Sequence, residues 1–180
     1  MAESLPPQPH PDRLTPFAGH SVVVGIVPDQ PPLVALTALS LARATNAAGL
    51  YLAYVDVSRY TEQEFPDGTV RHAPIDPDLP DDAWTTTEQQ LRAQVTQVMT
   101  GQDVAWHFRY LAGRVDRALT HLARAVDAAV LVLGTHVARH GHGPDFLHHS
   151  HAVQLSHRQH RPVLVVPLQV VDWKGRAPWE

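Results

Sequence analysis

Eight of the 13 histidines fall between His136 and His160, in a segment built around a glycine-bearing loop. An apolar run over residues 129–133 stops at Gly134. A loop with Gly141 and Gly143 follows, then a polar stretch of helix length, then the apolar run 163–166 between Pro162 and Pro167. Two chemistries suit these residue types. Glycines after a strand let a backbone approach phosphates, and a helix opening at Ser150 offers free N–H groups and a dipole to an anion. Imidazoles at close spacing suit zinc, copper or nickel. His140 and His142 would chelate from the loop, while His148 and His151, or His157 and His160, would share a helix face. A third possibility is that the histidines only coat a solvated loop and helix. With Arg139, His140, His142 and His149 near the helix start, charged side chains would either replace glycine contacts to phosphate or, through His149, fill the phosphate pocket. Ser150 and Asp145 invite a hydrolase reading, but no G-x-S-x-G elbow surrounds the serine, and a helix-start hydroxyl is its simpler role. The expectation is a binding protein and not an enzyme.

The elements that must position this segment are legible as alternating strands and helices. Residues 21–27 form a β-branched run apolar on both faces, as buried parallel strands are. Pro28 to Pro32 is turn chemistry, and residues 33–48 read as a helix with Leu33, Leu36 and Leu39 on one side, closed by Gly49. Residues 50–57 are a second strand, with Asp56 at its end read as a polar group bonded to a loop. Residues 58–80 have four prolines and no period, which predicts a long loop serving as a lid or interface flap, or lacking order. Trp84, Leu91, Val95 and Val98 mark one stripe of a second helix, Trp84 anchoring it to the sheet. Residues 104–111 alternate Val104, Trp106, Phe108 and Tyr110 as a third strand. After Gly113, Val115, Leu119, Leu122 and Val126 give a third helix. The histidine segment supplies a fourth strand, a fourth helix and a fifth strand. Such alternation predicts a parallel sheet with right-handed crossovers and helices on both faces, ligands lying at the carboxyl ends of its strands.

Composition narrows the classes. The chain has 180 residues, 44% apolar and 18% charged, with a net charge of −4. That suits one globular domain and gives no basic footprint for nucleic acid. With no cysteine, disulfides, thiolate metal sites and a thiol nucleophile are excluded. No apolar run approaches the roughly 18 residues of a membrane span, and the first residues lack a signal-peptide pattern, so a cytoplasmic protein is expected. Residues 1–20 read as a proline-rich disordered arm, 21–168 as the domain and 169–180 as a tail. Trp173 and Trp179 in that tail suggest a homodimer formed through the last strand and the tail.

Residues 21–167 resemble the universal stress protein family. SVVVGIV with VALTALSLARA is similar to that family's opening strand and first helix, and residues 113–129 to its glycine–helix–strand passage. VLVLG followed by HSHAVQLSHRQHRPVLVVP resembles its last β-α-β unit, with PVLVVP the most specific piece. The resemblance implies a flavodoxin-like, adenine nucleotide alpha hydrolase-like three-layer α/β sandwich, its five-stranded parallel sheet ordered 3-2-1-4-5. It also implies a stress-response regulatory role, dimers, and ATP or another adenine nucleotide as ligand. Carried onto this chain, the nucleotide contacts fall on Asp29, Val55, Gly134, His136, Arg139, Gly141, Gly143, His149 and Ser150. The middle of the loop departs from the family pattern: Val137 and His149 stand where glycines are usual, two extra residues lie between Gly134 and Ser150, and Val27 stands where an aspartate meets the adenine. A divergent nucleotide loop, functional or not, is therefore the main reading. Metal binding by His140, His142, His148 and His151 is the alternative.

Overall fold

A computed structural model describes residues 10–78, 83–135 and 151–168. Five parallel strands form the central sheet: β1 (Ser21–Gly25), β2 (Leu50–Asp56), β5 (Trp106–Ala112), β6 (Ala128–Gly134) and β7 (Val163–Val166). They lie side by side as β5-β2-β1-β6-β7. Two further strands, β3 (Arg59–Glu64) and β4 (Val70–Pro74), pair only with each other. With that pair set aside, the sheet order is the expected 3-2-1-4-5.

Two apolar layers sandwich the sheet. On one face α1 (Leu33–Ala44) and α2 (Ala83–Met99) pack over Val22, Val24, Leu52, Phe108, Tyr110 and Val132. On the other, α3 (Val115–Ala125) and α4 (His151–Arg158) pack over Val23, Ala53, Leu111, Leu131 and Leu133. Successive β1 residues thus serve opposite cores, which is why the run is apolar without alternation. The α3 stripe expected from sequence is the buried one: Leu119 and Leu122 are enclosed, with Val115 and Val126 at their edges. Asp116, buried at the first turn of α3, joins the helices by accepting from Arg114 at 2.8 Å and Arg158 at 3.1 Å. Burial alone would raise its carboxyl, but these guanidiniums outweigh that and hold it below the usual range.

Three expectations need correction. The first helix ends at Ala44, short of residue 48, and Asn46 rather than Gly49 takes the left-handed turn at φ 49°. Asn tolerates that region, and Ala47 N–H reaches back to the Ala42 carbonyl at 2.8 Å to satisfy the helix end. The sheet-facing side of α1 is Val34, Ala35, Ala38, Leu39 and Ala42, while Leu33 and Leu36 point outward. Small side chains let the helix approach the sheet closely, and the bulkier leucines are left outside. Finally, residues 58–80 are not a structureless loop. Most of the stretch is the β3–β4 hairpin, turning at Asp67-Gly68, where Gly68 has φ 80° and its N–H meets the Phe65 carbonyl at 3.0 Å.

The hairpin covers sheet that α3 does not reach. Thr61 Oγ1 donates to the Ala112 carbonyl at 3.1 Å, Arg109 donates to the Asp67 carbonyl at 3.1 Å, and His121 Nδ1 lies 3.0 Å from Glu64. Gly68 sits directly on Leu122, so any Cβ there would collide with that core side chain. Gly101, also at positive φ (78°), faces open space. Gly68→Ala is therefore expected to cost about 2–4 kcal/mol in urea unfolding, from left-handed strain plus overpacking, and Gly101→Ala about 1–2 kcal/mol from strain alone. Equal losses at the two positions would contradict the contact with Leu122.

Candidate functional site at the strand reversal

Connections run outward from β1 in two directions, through α1 to β2 and, after β5, back through α3 to β6. The loops after β1 and β6 therefore part to opposite faces and leave a crevice at their carboxyl ends, the usual ligand position in an open α/β sheet. Its described walls are residues 26–32, Val55 and Asp56 at the end of β2, residues 113–114, and residues 134–135.

Gly134 closes β6 among the ends of three side chains. A Cβ there would lie 2.7 Å from Gln30 Nε2, 2.8 Å from Leu168 Cδ1 and 3.0 Å from Val34 Cγ2. The Gln30 side chain, from the loop after β1, thus reaches close to the end of β6 before the two loops part. Beyond it, Thr135 N–H donates to the Val166 carbonyl at 2.9 Å, and its Oγ1 accepts from Leu168 N–H at 2.8 Å. The loop after β6 leaves from a point pinned to β7.

Asp29 is held differently from what a base contact across the crevice would need. It adopts φ 58°. Its N–H donates to Gln94 Oε1 at 3.1 Å, its Oδ1 accepts from Gln90 Nε2 at 3.1 Å, and Gln94 Nε2 donates to the Val27 carbonyl at 3.3 Å. Two α2 glutamines thereby clasp the loop after β1 and draw the carboxylate toward α2. Asp29 borders a cavity of about 560 Å³ between α1 and α2, with Gln30, Leu36, Gln94 and Val98 in its lining. Val55 is half-buried beside Leu111 in the α3-side core, leaving its backbone as the part at the strand end.

Asp56 is bonded to its loop, as its place at a strand end suggests. Oδ1 accepts from Ser58 Oγ at 2.6 Å and Ser58 N–H at 2.9 Å, and Oδ2 accepts from the Tyr110 hydroxyl at 2.6 Å. Sequence reasoning missed what stands around it. Arg59, only 5% exposed, donates through Nε to His72 Nδ1 at 2.7 Å and lies 5.5 Å above the Trp84 ring. Trp84 in turn packs against Tyr110 at 5.7 Å between centroids, the helix-to-sheet anchor its position predicts. The signal for Arg59 was available only as a lone arginine following a strand end, which ordinarily marks a solvated residue.

His136, Arg139, His140, Gly141, His142, Gly143, His148, His149 and Ser150 lie outside the described residues, as does the side chain of His151 in α4. Among the described residues, no group of three or more His, Cys, Asp or Glu side chains gathers to hold a metal ion. His157 and His160 do not share a helix face, because α4 ends at Arg158. Burial, together with Arg161, Arg13 and Arg124, holds His160 below the usual imidazole range, and such surroundings disfavour a cation. No described helix is long and apolar enough to cross a membrane.

The Asp56–Tyr110 pair has two pH limbs. Burial would raise the Asp56 carboxyl, but the Ser58 and Tyr110 hydrogen bonds and Arg59 outweigh it and lower it. That contribution is present above the ordinary carboxylate range and is lost as pH falls through the folded value, below about pH 4. Burial, then the Asp56 hydrogen bond and charge, raise Tyr110 well above a normal phenol. Its contribution is present below about pH 10 and is lost as pH rises past that point. Tyr110→Phe is expected to flatten the alkaline fall in thermal midpoint and to move the acid fall to higher pH. Profiles that superimpose from pH 2.5 to 11 would contradict the pairing.

Comparison with known proteins agrees with the geometry. The model of the universal stress protein family matches residues 20–167. A universal stress protein crystallised in complex with cAMP is 21% identical with a TM-score of 0.58, over 83% of this chain and 98% of that one. A member of the family from Burkholderia pseudomallei is 21% identical with a TM-score of 0.54, over 83% and 96%. The Archaeoglobus fulgidus protein in complex with dAMP is 15% identical with a TM-score of 0.53, over 81% and 96%. Among curated protein sequences none matches the chain. Strand order, strand reversal and a family match over most of the length converge: this chain belongs to the universal stress protein family.

Proposed function

We propose that the chain is a stress-linked regulatory domain that binds an adenine nucleotide at the carboxyl edge of its sheet and does not turn it over. One observation carries the reading. Gly134 ends β6 at the strand reversal without a side chain, the end of Gln30 from the loop after β1 lying close to it, so the two segments that would flank a nucleotide lie side by side there. Family membership supports it, as do the complexes of two structural neighbours with cAMP and dAMP.

The contacts would differ from the usual pattern. With Asp29 clasped by Gln90 and Gln94, the base edge would be read by backbone groups of the loop after β1 and of Val55. The phosphates would meet residues 136–150. There Arg139, His136 and His149 would donate charged hydrogen bonds, Gly141 and Gly143 would supply the backbone approach, and Ser150 would cap the helix start. Imidazoles in that role strengthen with protonation, so affinity should rise as pH falls from 8 to 6.

Calorimetry with ATP, AMP and cAMP tests this. Binding is expected, with a stabilisation of about 2.7 kcal/mol at a hundredfold excess over Kd. Arg139→Ala should weaken it by about tenfold, as expected for loss of one hydrogen bond to a charged group, and Ser150→Ala by less, through the helix start it would cap. His149→Gly distinguishes a clamp, which it would weaken, from a plug, which it would relieve. No heat and no thermal shift with any of the three at millimolar concentration, for wild type and His149→Gly alike, would overturn the proposal.

A further inference from the structure

The first helix is apolar over most of its outer side, with Ser40 and Arg43 as its exposed polar residues. Val34, Ala35, Ala38, Leu39 and Ala42 face the sheet, yet Leu33 and Leu36 on the outside are 48% and 44% exposed. In LVALTALSLARA the only charge is Arg43, which pairs with Asp103 at 2.6 Å. A helix facing water ordinarily carries charges on its outer side, and one apolar all round is covered. Thr37 does not supply the missing polarity, because its hydroxyl donates to the Leu33 carbonyl at 2.7 Å within the helix. Between this outer face and the edge strand β7 runs a groove of about 560 Å³ lined by Leu33, Leu36, Thr37, Ser40, Leu41 and Leu164. Leu164 is itself 38% exposed.

We propose that the groove is the seat of the chain's own residues 169–180, QVVDWKGRAPWE, with Trp173 as the anchor. The exit point favours this segment. Leu168, the last residue before it, stands beside Val34 at Gly134, so the chain leaves the domain at the N-terminal end of α1, the head of the groove. Length allows it. The α1 helix, at about 1.5 Å per residue, is about 18 Å long. Trp173, five residues past Leu168, reaches about 17 Å in extended chain. Chemistry matches too: Val170, Val171 and Trp173 bring apolar surface to a groove without charge, and Trp fills such pockets with a large rigid contact. The other end of the chain reaches α1 at its opposite, C-terminal end, where the Gly19 N–H donates to the Thr45 carbonyl at 3.1 Å, so residues 1–9 are the occupant the test must separate from the tail. A tail so docked would pull on Leu168, whose N–H donates to Thr135, and so bear on the loop after β6. The inference does not depend on nucleotide binding.

A double-mutant cycle on the full chain tests it: wild type, deletion of residues 169–180, Leu36→Glu, and both together. Each single change should lower the thermal midpoint by about 5 °C, and the pair by no more than the larger single loss, because the groove is empty once the tail is gone. Trp173→Ala should reproduce at least half of the deletion's effect, and amide exchange in α1 should quicken in the deleted chain. Additive losses, or no loss from deletion, would overturn the proposal. So would a dimer, seen by light scattering, that Leu36→Glu dissociates whether or not the tail is present, since a second copy would then occupy the groove. Deleting residues 1–9 should leave the midpoint unchanged; a matching loss would make that arm the occupant and equally overturn it.

Discussion

A parallel strand buried on both faces must be covered on both faces, and the remainder of this molecule follows from meeting that demand around β1. Val22, Val23 and Val24 are at most 1% exposed, with Val22 and Val24 in one core and Val23 in the other. Crossovers between parallel strands are right-handed, so helices on both faces require the chain to run outward from β1 in one direction and return to build in the other. The strand reversal is the consequence, and the crevice at the ends of β1 and β6 is a product of layer packing rather than an addition to it.

The same demand explains the hairpin. On the α3 side, the helix crosses from β5 to β6 and leaves the outer sheet uncovered. The β3–β4 pair fills that place, with Val70 packed into the α3-side core and its turn seated on Leu122. At its base the hairpin brings Arg59 and His72 to the Trp84–Tyr110 contact. A segment with no helical or strand period thus covers the β5 side of the sheet.

How much was legible follows from where the physics is local. The strand runs around Val22–Val24 and Leu131–Leu133, and the Leu119–Leu122 stripe, announce themselves because burial on both faces, or on one, writes its own period. The hairpin did not, since β3 (RYTEQE) is mostly solvent-facing and its one local signal, Asp67-Gly68, is a two-residue turn cue inside a proline-bearing stretch. The outward leucines of α1 misled for a related reason: hydrophobicity reports burial, but not which neighbour provides it. At the site, Gly134 was readable as a backbone position, whereas the clasp on Asp29 rests on glutamines more than 60 residues away. No spacing rule joins those positions.

The proposed nucleotide seat lies between the loops after β1 and β6. Amide-resolved NMR of the full chain, titrated with AMP, addresses that directly. The account predicts shifts gathered at residues 26–30, 55–56 and 134–135, with the loop 136–150 perturbed alongside. Unchanged spectra at millimolar AMP, or shifts confined to α3 and the β3–β4 hairpin, would contradict it.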